Sequence, residues 1–310
     1  MTTSTDISRR FWNLPQKPGE ETSRELTFID DIIQKTHIER LLLENLDGIS
    51  TVFDGGAGYG RFSILLAKRG LDVTHFDISE GMIDKAKEIA ANEGVIDKMT
   101  FVHGALEDLS EFRDKQFDLV MSFDAPISYT YPNQETVIQN LVRIAGKKIC
   151  FGVYSRIGHI TYLLNPIQKD KYIIDKTSNA PLVQWYIKHE QNINAGLMPE
   201  MDFIRNYSKT GLMDSPVNIE AVYERGESPF PISYAFMPDE LIGILERFGA
   251  TNIILSGPGA LSRSTPGEVL RKIILDEHLK QEFLEFCYWY DSQPWCAGMG
   301  KDNLVAIADV

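Results

Sequence analysis

The sequence is poor in cysteine and has no long apolar run, and both shortages narrow the class of protein. It contains three cysteines, Cys150, Cys287 and Cys296, with no C-x-x-C pair. An odd and widely spaced set provides neither a disulfide framework nor a zinc knuckle. No segment reaches the roughly 18 apolar residues of a transmembrane helix, and residues 1–30 lack the apolar region of a signal peptide. We therefore predict a cytoplasmic protein with no membrane partner.

Clustered positive charge is also missing. The chain has 31 Lys and Arg against 44 Asp and Glu, a formal net charge of −13. Binding to a phosphate backbone depends on clustered Lys and Arg, so we predict no nucleic-acid partner. The histidines are scattered without the spacing of metal ligands, and we predict no metal site.

Between about residues 50 and 153, short apolar runs alternate with segments of helical period. Ser79 suits the N-cap of one of these helices. Alternating strands and helices require parallel pairing and right-handed crossovers, which cover both faces of a sheet. We predict a doubly wound, Rossmann-like α/β fold with a mostly parallel seven-stranded sheet. The predicted strands are Thr51–Phe53, Val73–Phe76, Met99–Val102, Phe117–Phe123, Lys148–Tyr154, a strand after Phe248, and Asn303–Ala308; the predicted helices are Tyr59–Arg69, Ser79–Ala90, one near Glu107, Glu135–Ile144, Asp239–Phe248 and Pro266–Tyr290.

This alternation stops between about Ser155 and Ala235, in a polar stretch rich in Tyr. We predict an α+β subdomain over residues 154–235, inserted between two parts of the core, 48–153 and 236–310. Within it, residues 217–223 and 229–236 flank a polar turn and predict a hairpin. Residues 1–47 are predicted to form an N-terminal helical lid or extension.

The loop after the first predicted strand has the sequence DGGAGYGRFS, from Asp54 to Ser63. Starting from Gly56, the dinucleotide pattern G-x-G-x-x-G fails at Arg61, and no G-K-[ST] follows to make a P-loop. The pattern that remains is D-x-G-x-G-x-G, which ends at Gly60. Glycines permit positive φ and close approach of a ligand to the backbone, and in a doubly wound sheet this loop is the usual nucleotide cradle.

The segment resembles the first half of the class I S-adenosylmethionine (SAM)-dependent methyltransferases of the small-molecule type. In that family D/E-x-G-x-G-x-G is followed by an acidic residue at the end of the second strand, where this chain has Asp77. GALEDL and FDLVMSFDAPISY resemble the third and fourth strand-end motifs, and MPDELIGILERFGA resembles the helix before the sixth strand. The resemblance covers about residues 50–153 and 236–310. It implies SAM as cofactor, S-adenosylhomocysteine (SAH) as product, and methyl transfer to a small-molecule acceptor.

The resemblance also implies the cofactor-binding residues. An ionised Asp77 suits the two ribose hydroxyls, although it could instead cap the next helix, and Asp54 suits the cationic methionine end. Ala105 stands where the family commonly has an acid for the adenine amino group. Adenine recognition is therefore left to the backbone at Ala105 and Leu106 or to a neighbouring acid, Glu107 or Asp108. The predicted cofactor residues are Asp54, Gly55, Gly56, Gly58, Gly60, Asp77, Ile78, Met82, Ala105, Leu106, Glu107, Ser122 and Phe123.

The sequence does not fix which residues act on the methyl acceptor. A base is needed only if the acceptor keeps its proton at neutral pH, and the candidates are His159, Tyr129 and Asp124, with His189 as a further one. A structural role is the alternative for these side chains, and a lone histidine is more often structural than catalytic. The inserted segment is predicted to enclose the acceptor, and its alternative role is the interface of a homodimer.

Two other functions remain open. A SAM-binding module without methyl transfer differs from an enzyme by the absence of turnover to SAH. A protein or nucleic-acid methyltransferase is disfavoured by the acidic charge. The acceptor atom, whether N, O or C, is not determined by the sequence.

Overall fold

The structure is a computed structural model that describes residues 3–164, 172–184, 187, 201–213, 230–300 and 303–310. Two of the predicted features, residues 217–223 of the hairpin and His189, lie outside the described residues.

A seven-stranded sheet forms the centre of the molecule. Its strands lie in the order β3 (Met99–His103), β2 (Asp72–Asp77), β1 (Thr51–Gly55), β4 (Phe117–Ser122), β5 (Ala145–Tyr154), β9 (Asn303–Asp309) and β8 (Thr251–Ser256). Strands β1 to β5 pair in parallel, while β9 runs antiparallel to both of its neighbours. This confirms the predicted doubly wound, mostly parallel sheet. A separate short pair joins β6 (Leu212–Met213) to β7 (Ser233–Tyr234).

Helices cover both faces of this sheet, and several begin as the sequence predicts. Ser79 caps α5, because its hydroxyl accepts a hydrogen bond from the backbone N–H of Met82 at 3.2 Å. The described helices are α1 (Ser4–Trp12), α2 (Lys17–Thr27), α3 (Ile29–Leu43), α4 (Arg61–Lys68), α5 (Glu80–Asn92), α6 (Gln134–Ile144), α7 (Arg156–Leu164), α8 (Met201–Thr210), α9 (Pro238–Arg247), α10 (Ala260–Ser264), α11 (Gly267–Leu275) and α12 (Glu277–Asp291).

Side chains that alternate along the strands pack into two cores, one on each face of the sheet. Phe53 and Val120 belong to the larger core, whereas Val52, Leu119 and Met121 belong to the other. The inner strands β1 and β4 are therefore buried on both faces, as expected for parallel pairing. A rigid two-sided sheet fixes the positions of the loops at its carboxyl edge.

Two helical predictions are wrong. The helix predicted near Glu107 is a turn closed by the Asp108 N–H, which donates to the Ala105 carbonyl at 2.9 Å. The single helix predicted over Pro266–Tyr290 is broken at Asp276, whose side chain accepts from the backbone N–H groups of His278 and Leu279 and so caps a second helix, α12. An aspartate favours this capping role over a helix interior.

Candidate functional site

Two adjoining cavities open at the carboxyl ends of the central strands. The main cavity is lined by Asp54 on β1, Gly58 in the loop after β1, Asp77 at the end of β2, and Phe123 and Asp124 after β4. The side cavity extends toward the end of β3 and includes Gly104, Leu106 and Glu107 in its walls. Gly56, Ile78, Pro126, Trp12 and Tyr129 line both cavities. This is the edge at which doubly wound sheets bind ligands.

The loop after β1 depends on its glycines. Gly56, Gly58 and Gly60 all have positive φ, at 70°, 56° and 84°. A Cβ on Gly56 would lie 2.4 Å from Pro126, whereas a Cβ on Gly58 would meet nothing within 4 Å. Because Gly58 lines the main cavity, its missing side chain leaves room there for a ligand.

Asp77 holds this loop against the end of β2. One carboxylate oxygen accepts from the Gly58 N–H at 2.7 Å, and the other accepts from the Ser79 N–H at 2.8 Å. Burial raises the pKa of Asp77 to about 6, while the Gly58 and Ser79 hydrogen bonds act in the opposite direction. Each oxygen retains a lone pair for a further donor, such as a ribose hydroxyl.

Asp54 lies deeper in the main cavity and is 2% exposed. Its side chain accepts from the Ser63 hydroxyl at 2.6 Å, and Ser63 is in turn 3.2 Å from His75 Nδ1. Burial, with the negative charges of Asp77 and Asp124 adding to it, raises the pKa of Asp54 to about 7. A cation in the cavity would favour the ionised form of this carboxylate.

The wall after β4 is backbone-strained at two consecutive residues. Asp124 and Ala125 have φ values of 62° and 64°, in the left-handed region that is unfavourable for residues with a Cβ. The Asp124 side chain remains 52% exposed. Strain of this kind clusters at ligand sites, and here it places an accessible carboxylate at the cavity.

Tyr129 connects the cavities to the beginning of the inserted segment. Its hydroxyl is hydrogen-bonded to that of Tyr154, and the Tyr154 ring lies 5.1 Å from the ring of His159. Tyr129 lines both cavities, whereas His159 lines neither within the described part of the chain. His159 therefore relates to the site through Tyr154 rather than by direct contact.

The N-terminal helices contribute residues that the sequence analysis did not single out. Trp12 and Glu21 line the main cavity, and burial raises the pKa of Glu21. Lys35 on α3 is 1% exposed and lies 3.0 Å from the Tyr59 hydroxyl. Burial opposes the charge of Lys35, but the neighbouring Asp124, Tyr59 and Asp31 outweigh it and raise its pKa.

Most of the predicted site residues line one or both cavities, and five do not. Those that line neither cavity serve the surrounding backbone: Gly60 precedes α4 in a left-handed conformation, and the Ser122 hydroxyl donates to the Gly55 carbonyl at 2.8 Å. The predicted residues on the cavity walls are Asp54, Gly56, Gly58, Asp77, Ile78, Met82, Leu106, Glu107, Phe123, Asp124 and Tyr129, and those outside them are Gly55, Gly60, Ala105, Ser122 and His159.

Metal-binding clusters and membrane-spanning helices are both absent from the described residues. Over that part of the chain, no group of three or more His, Cys, Asp or Glu side chains is arranged to hold a metal ion. None of its helices is both long and apolar enough to cross a bilayer.

The strand order, the antiparallel β9 and the glycine loop after β1 define the fold of class I SAM-dependent methyltransferases. Residues 52–147 match the model of a methyltransferase domain family. The resemblance to the class I SAM-dependent methyltransferases is confirmed, and residues 52–147 are a methyltransferase domain of that class.

Two relatives each align with about a third of the chain. The tRNA 5-carboxymethoxyuridine methyltransferase of Escherichia coli is 35% identical over 104 residues, which are 34% of this chain and 39% of that protein. The magnesium-protoporphyrin O-methyltransferase of Rhodobacter capsulatus is 35% identical over 102 residues, or 33% of this chain and 44% of the relative. The alignments thus span less than half the length of either relative.

A solved structure resembles the chain over a longer range. The phosphoethanolamine N-methyltransferase 2 of Haemonchus contortus, determined with SAM, superposes with a TM-score of 0.51 at 14% sequence identity. The superposition covers 100% of this chain and 60% of that one. At this identity the likeness concerns the fold alone.

Proposed function

We propose that the protein is a SAM-dependent methyltransferase that acts on a small-molecule acceptor. The observation that carries the proposal is the convergence of the glycine loop, Asp54 and Asp77 on one cavity at the carboxyl edge of the sheet. The open space beside Gly58 fits a ligand that must lie against the backbone.

Asp77 would bind the ribose hydroxyls of SAM, and Asp54 would face its cationic methionine end. Ile78 and Met82 supply apolar wall beside them. Bound SAM supplies a methyl group activated by a sulfonium, which the acceptor takes by in-line displacement. The task left to the protein is to position the acceptor and exclude water, and positioning alone can contribute much of the rate.

The acceptor would lie beside Asp124 and Tyr129, the two predicted candidate bases on the cavity walls. We favour these groups over His159 for taking a proton from an acceptor that still carries one, because a base must reach the proton directly or through one water. Aromatic wall from Trp12, Tyr59 and Phe123 suits a compact organic molecule.

The remaining parts of the chain would enclose this site. Residues 1–47 would act as a lid, since Trp12 and Glu21 reach the main cavity. Residues 154–235 would act as the acceptor cap, with the interface of a homodimer as its alternative role. A cytoplasmic location remains a prediction.

A nucleic-acid acceptor is the second candidate, because one relative is named for a tRNA substrate. The net charge of −13 argues against it, since phosphate contacts require Lys and Arg. The two candidates differ in what the enzyme methylates, so an acceptor screen distinguishes them.

The test measures SAM binding by calorimetry and SAH formation with panels of amines, phenols, carboxylates and bulk tRNA. We expect SAM binding and product formation with a small molecule, and none with tRNA. Asp77→Asn serves as the control for contaminating enzymes. SAM binding without turnover on any panel would favour a binding module, and methylated tRNA would favour the second candidate.

A further inference from the structure

Helix α1 lies across the side cavity, and one face of it carries the contacts. Thr5 Oγ1 donates to Glu107 Oε1 at 2.6 Å. The Trp12 ring lies 5.8 Å from the Tyr129 ring, and the Trp12 carbonyl accepts from the Ser79 hydroxyl at 2.9 Å. This helix lies outside the segment that matches the methyltransferase domain.

Ser8 lies on the same face, because residues three and four apart are neighbours on a helix surface. It is 6% exposed and lines the side cavity. Among the residues that the structure describes, its hydroxyl has no hydrogen-bond partner. A buried hydroxyl without a hydrogen-bond partner is unfavourable. A polar ligand atom in the cavity would supply the missing partner.

The side cavity suits a flat base with one polar edge. It adjoins Asp77 through Ile78, the next residue of the chain and part of both cavities. Leu106, Pro126 and Phe76 give it apolar wall, and Glu107 contributes a carboxylate. With the ribose on Asp77, the base of the same nucleoside would extend into this space.

We propose that Ser8 and Glu107 determine the specificity of the enzyme for adenine in its cofactor. This inference rests on the proposed SAM binding. Glu107 can only accept hydrogen bonds when ionised, and it would accept from the exocyclic amino group, while the Ser8 hydroxyl donates to a ring nitrogen. Thr5 occupies one oxygen of Glu107 and leaves the other for the base. The pair replaces the acid that is absent at Ala105.

Substituting Glu107 and substituting Ser8 should have different effects on binding when the base of the ligand is changed. In S-inosylhomocysteine, hypoxanthine presents a carbonyl oxygen in place of the amino group. The Glu107 carboxylate repels that oxygen, whereas the amide of a glutamine can donate to it. The Ser8 hydroxyl can rotate and donate or accept. Glu107 should therefore control the choice of base, and Ser8 the affinity for either base.

The experiment measures the Kd of SAH and of S-inosylhomocysteine by calorimetry on four proteins: the wild type and the variants Ser8→Ala, Glu107→Gln and Ser4→Ala. We expect Ser8→Ala to weaken both ligands about three- to tenfold, and Glu107→Gln to reduce the preference for SAH about tenfold or more. Ser4→Ala is the matched control on the same helix, because Ser4 bonds to the Tyr129 carbonyl at 3.5 Å and does not line the side cavity.

Thermal unfolding of the ligand-free proteins separates recognition from a structural role. Removing a hydroxyl that has no partner should leave the Tm of Ser8→Ala unchanged or raise it. If Ser8→Ala lowers the Tm and leaves both Kd values at the wild-type level, its role is structural and the inference is wrong. An unchanged preference in Glu107→Gln would equally overturn it. If the wild type binds neither SAH nor SAM, the proposed function fails as well.

Discussion

Substituting one glycine of the loop after β1 tests whether that loop cradles the cofactor. Gly58 has a φ of 56°, and a Cβ there would meet no protein atom within 4 Å. Gly58→Ala should therefore cause no clash in the free protein. The substitution only places a residue with a Cβ in the left-handed conformation, which destabilises the folded protein by about 1–2 kcal/mol. The new methyl group would project into the main cavity, where the cofactor is proposed to lie.

Gly94 provides the matched control. Its φ is 69° and its Cβ would also meet nothing within 4 Å, but it follows the C-terminus of α5, at the opposite end of that helix from Ser79 and the site. Gly94→Ala should thus cause similar backbone strain without touching the cavity. Both variants should lose about 1–2 kcal/mol of unfolding free energy, a fall of several degrees in Tm.

The two variants should differ in cofactor affinity. Overpacking by a methyl group typically costs about 1–3 kcal/mol, so the Kd of SAM should rise about 5- to 150-fold in Gly58→Ala. In Gly94→Ala it should stay at the wild-type value. Calorimetric titration of SAM measures both. Equal affinity in the two variants would refute the assignment of the loop to the cofactor.

Three further predictions concern the carboxylates and Tyr129. Asp77→Asn should weaken SAM binding by about 1.5–3 kcal/mol, the range for hydrogen bonds to charged groups; unchanged affinity by calorimetry would remove Asp77 from the ribose site. The pKa of Asp54 is raised to about 7 and that of Asp77 to about 6 in the free protein, so SAM affinity should fall as the pH drops below 7 and level off above it. Asp54→Asn should leave only the fall below about pH 6 that Asp77 contributes; a flat wild-type titration would contradict this reasoning. Tyr129→Phe should lower kcat about tenfold or more while leaving the Kd of SAM within twofold. Tyr154→Phe removes the hydroxyl partner of Tyr129 and should lower kcat less, as measured by steady-state kinetics.

The part of the site predictable from the sequence is the part made by residues close together in the chain. Asp54 and Gly58 lie in one loop, and Asp77 ends the strand beside it. Local spacing therefore fixes their common position once the parallel sheet is recognised. The helix near Glu107 could not be excluded from local pattern, because the turn there is fixed by backbone bonds rather than by apolar period.

Contacts from the N-terminal helices were not predicted, because they join residues far apart in the sequence. The Thr5–Glu107 hydrogen bond spans 102 residues. The only local signal was the placement of Thr5, Ser8 and Trp12 on one helical face, and two of these are polar or hydroxylated residues that ordinarily indicate a solvent-facing side. The role of this face of α1 becomes clear only in the folded structure, where it lies against the carboxyl edge of the sheet.

The electrostatics of the site give a physical reason for the N-terminal helices to enclose the main cavity. Asp54 and Asp77 are buried and their pKa values are raised, so the ligand-free protein pays a desolvation penalty to keep them ionised. A sulfonium or ammonium in the cavity would offset that penalty, and the offset grows as water is excluded, because charges interact more strongly in a lower dielectric. Trp12 and Glu21, from α1 and α2, line the same cavity. Closure by the N-terminal helices and binding of a cation should therefore reinforce each other, which an isolated strand-loop-helix unit could not achieve.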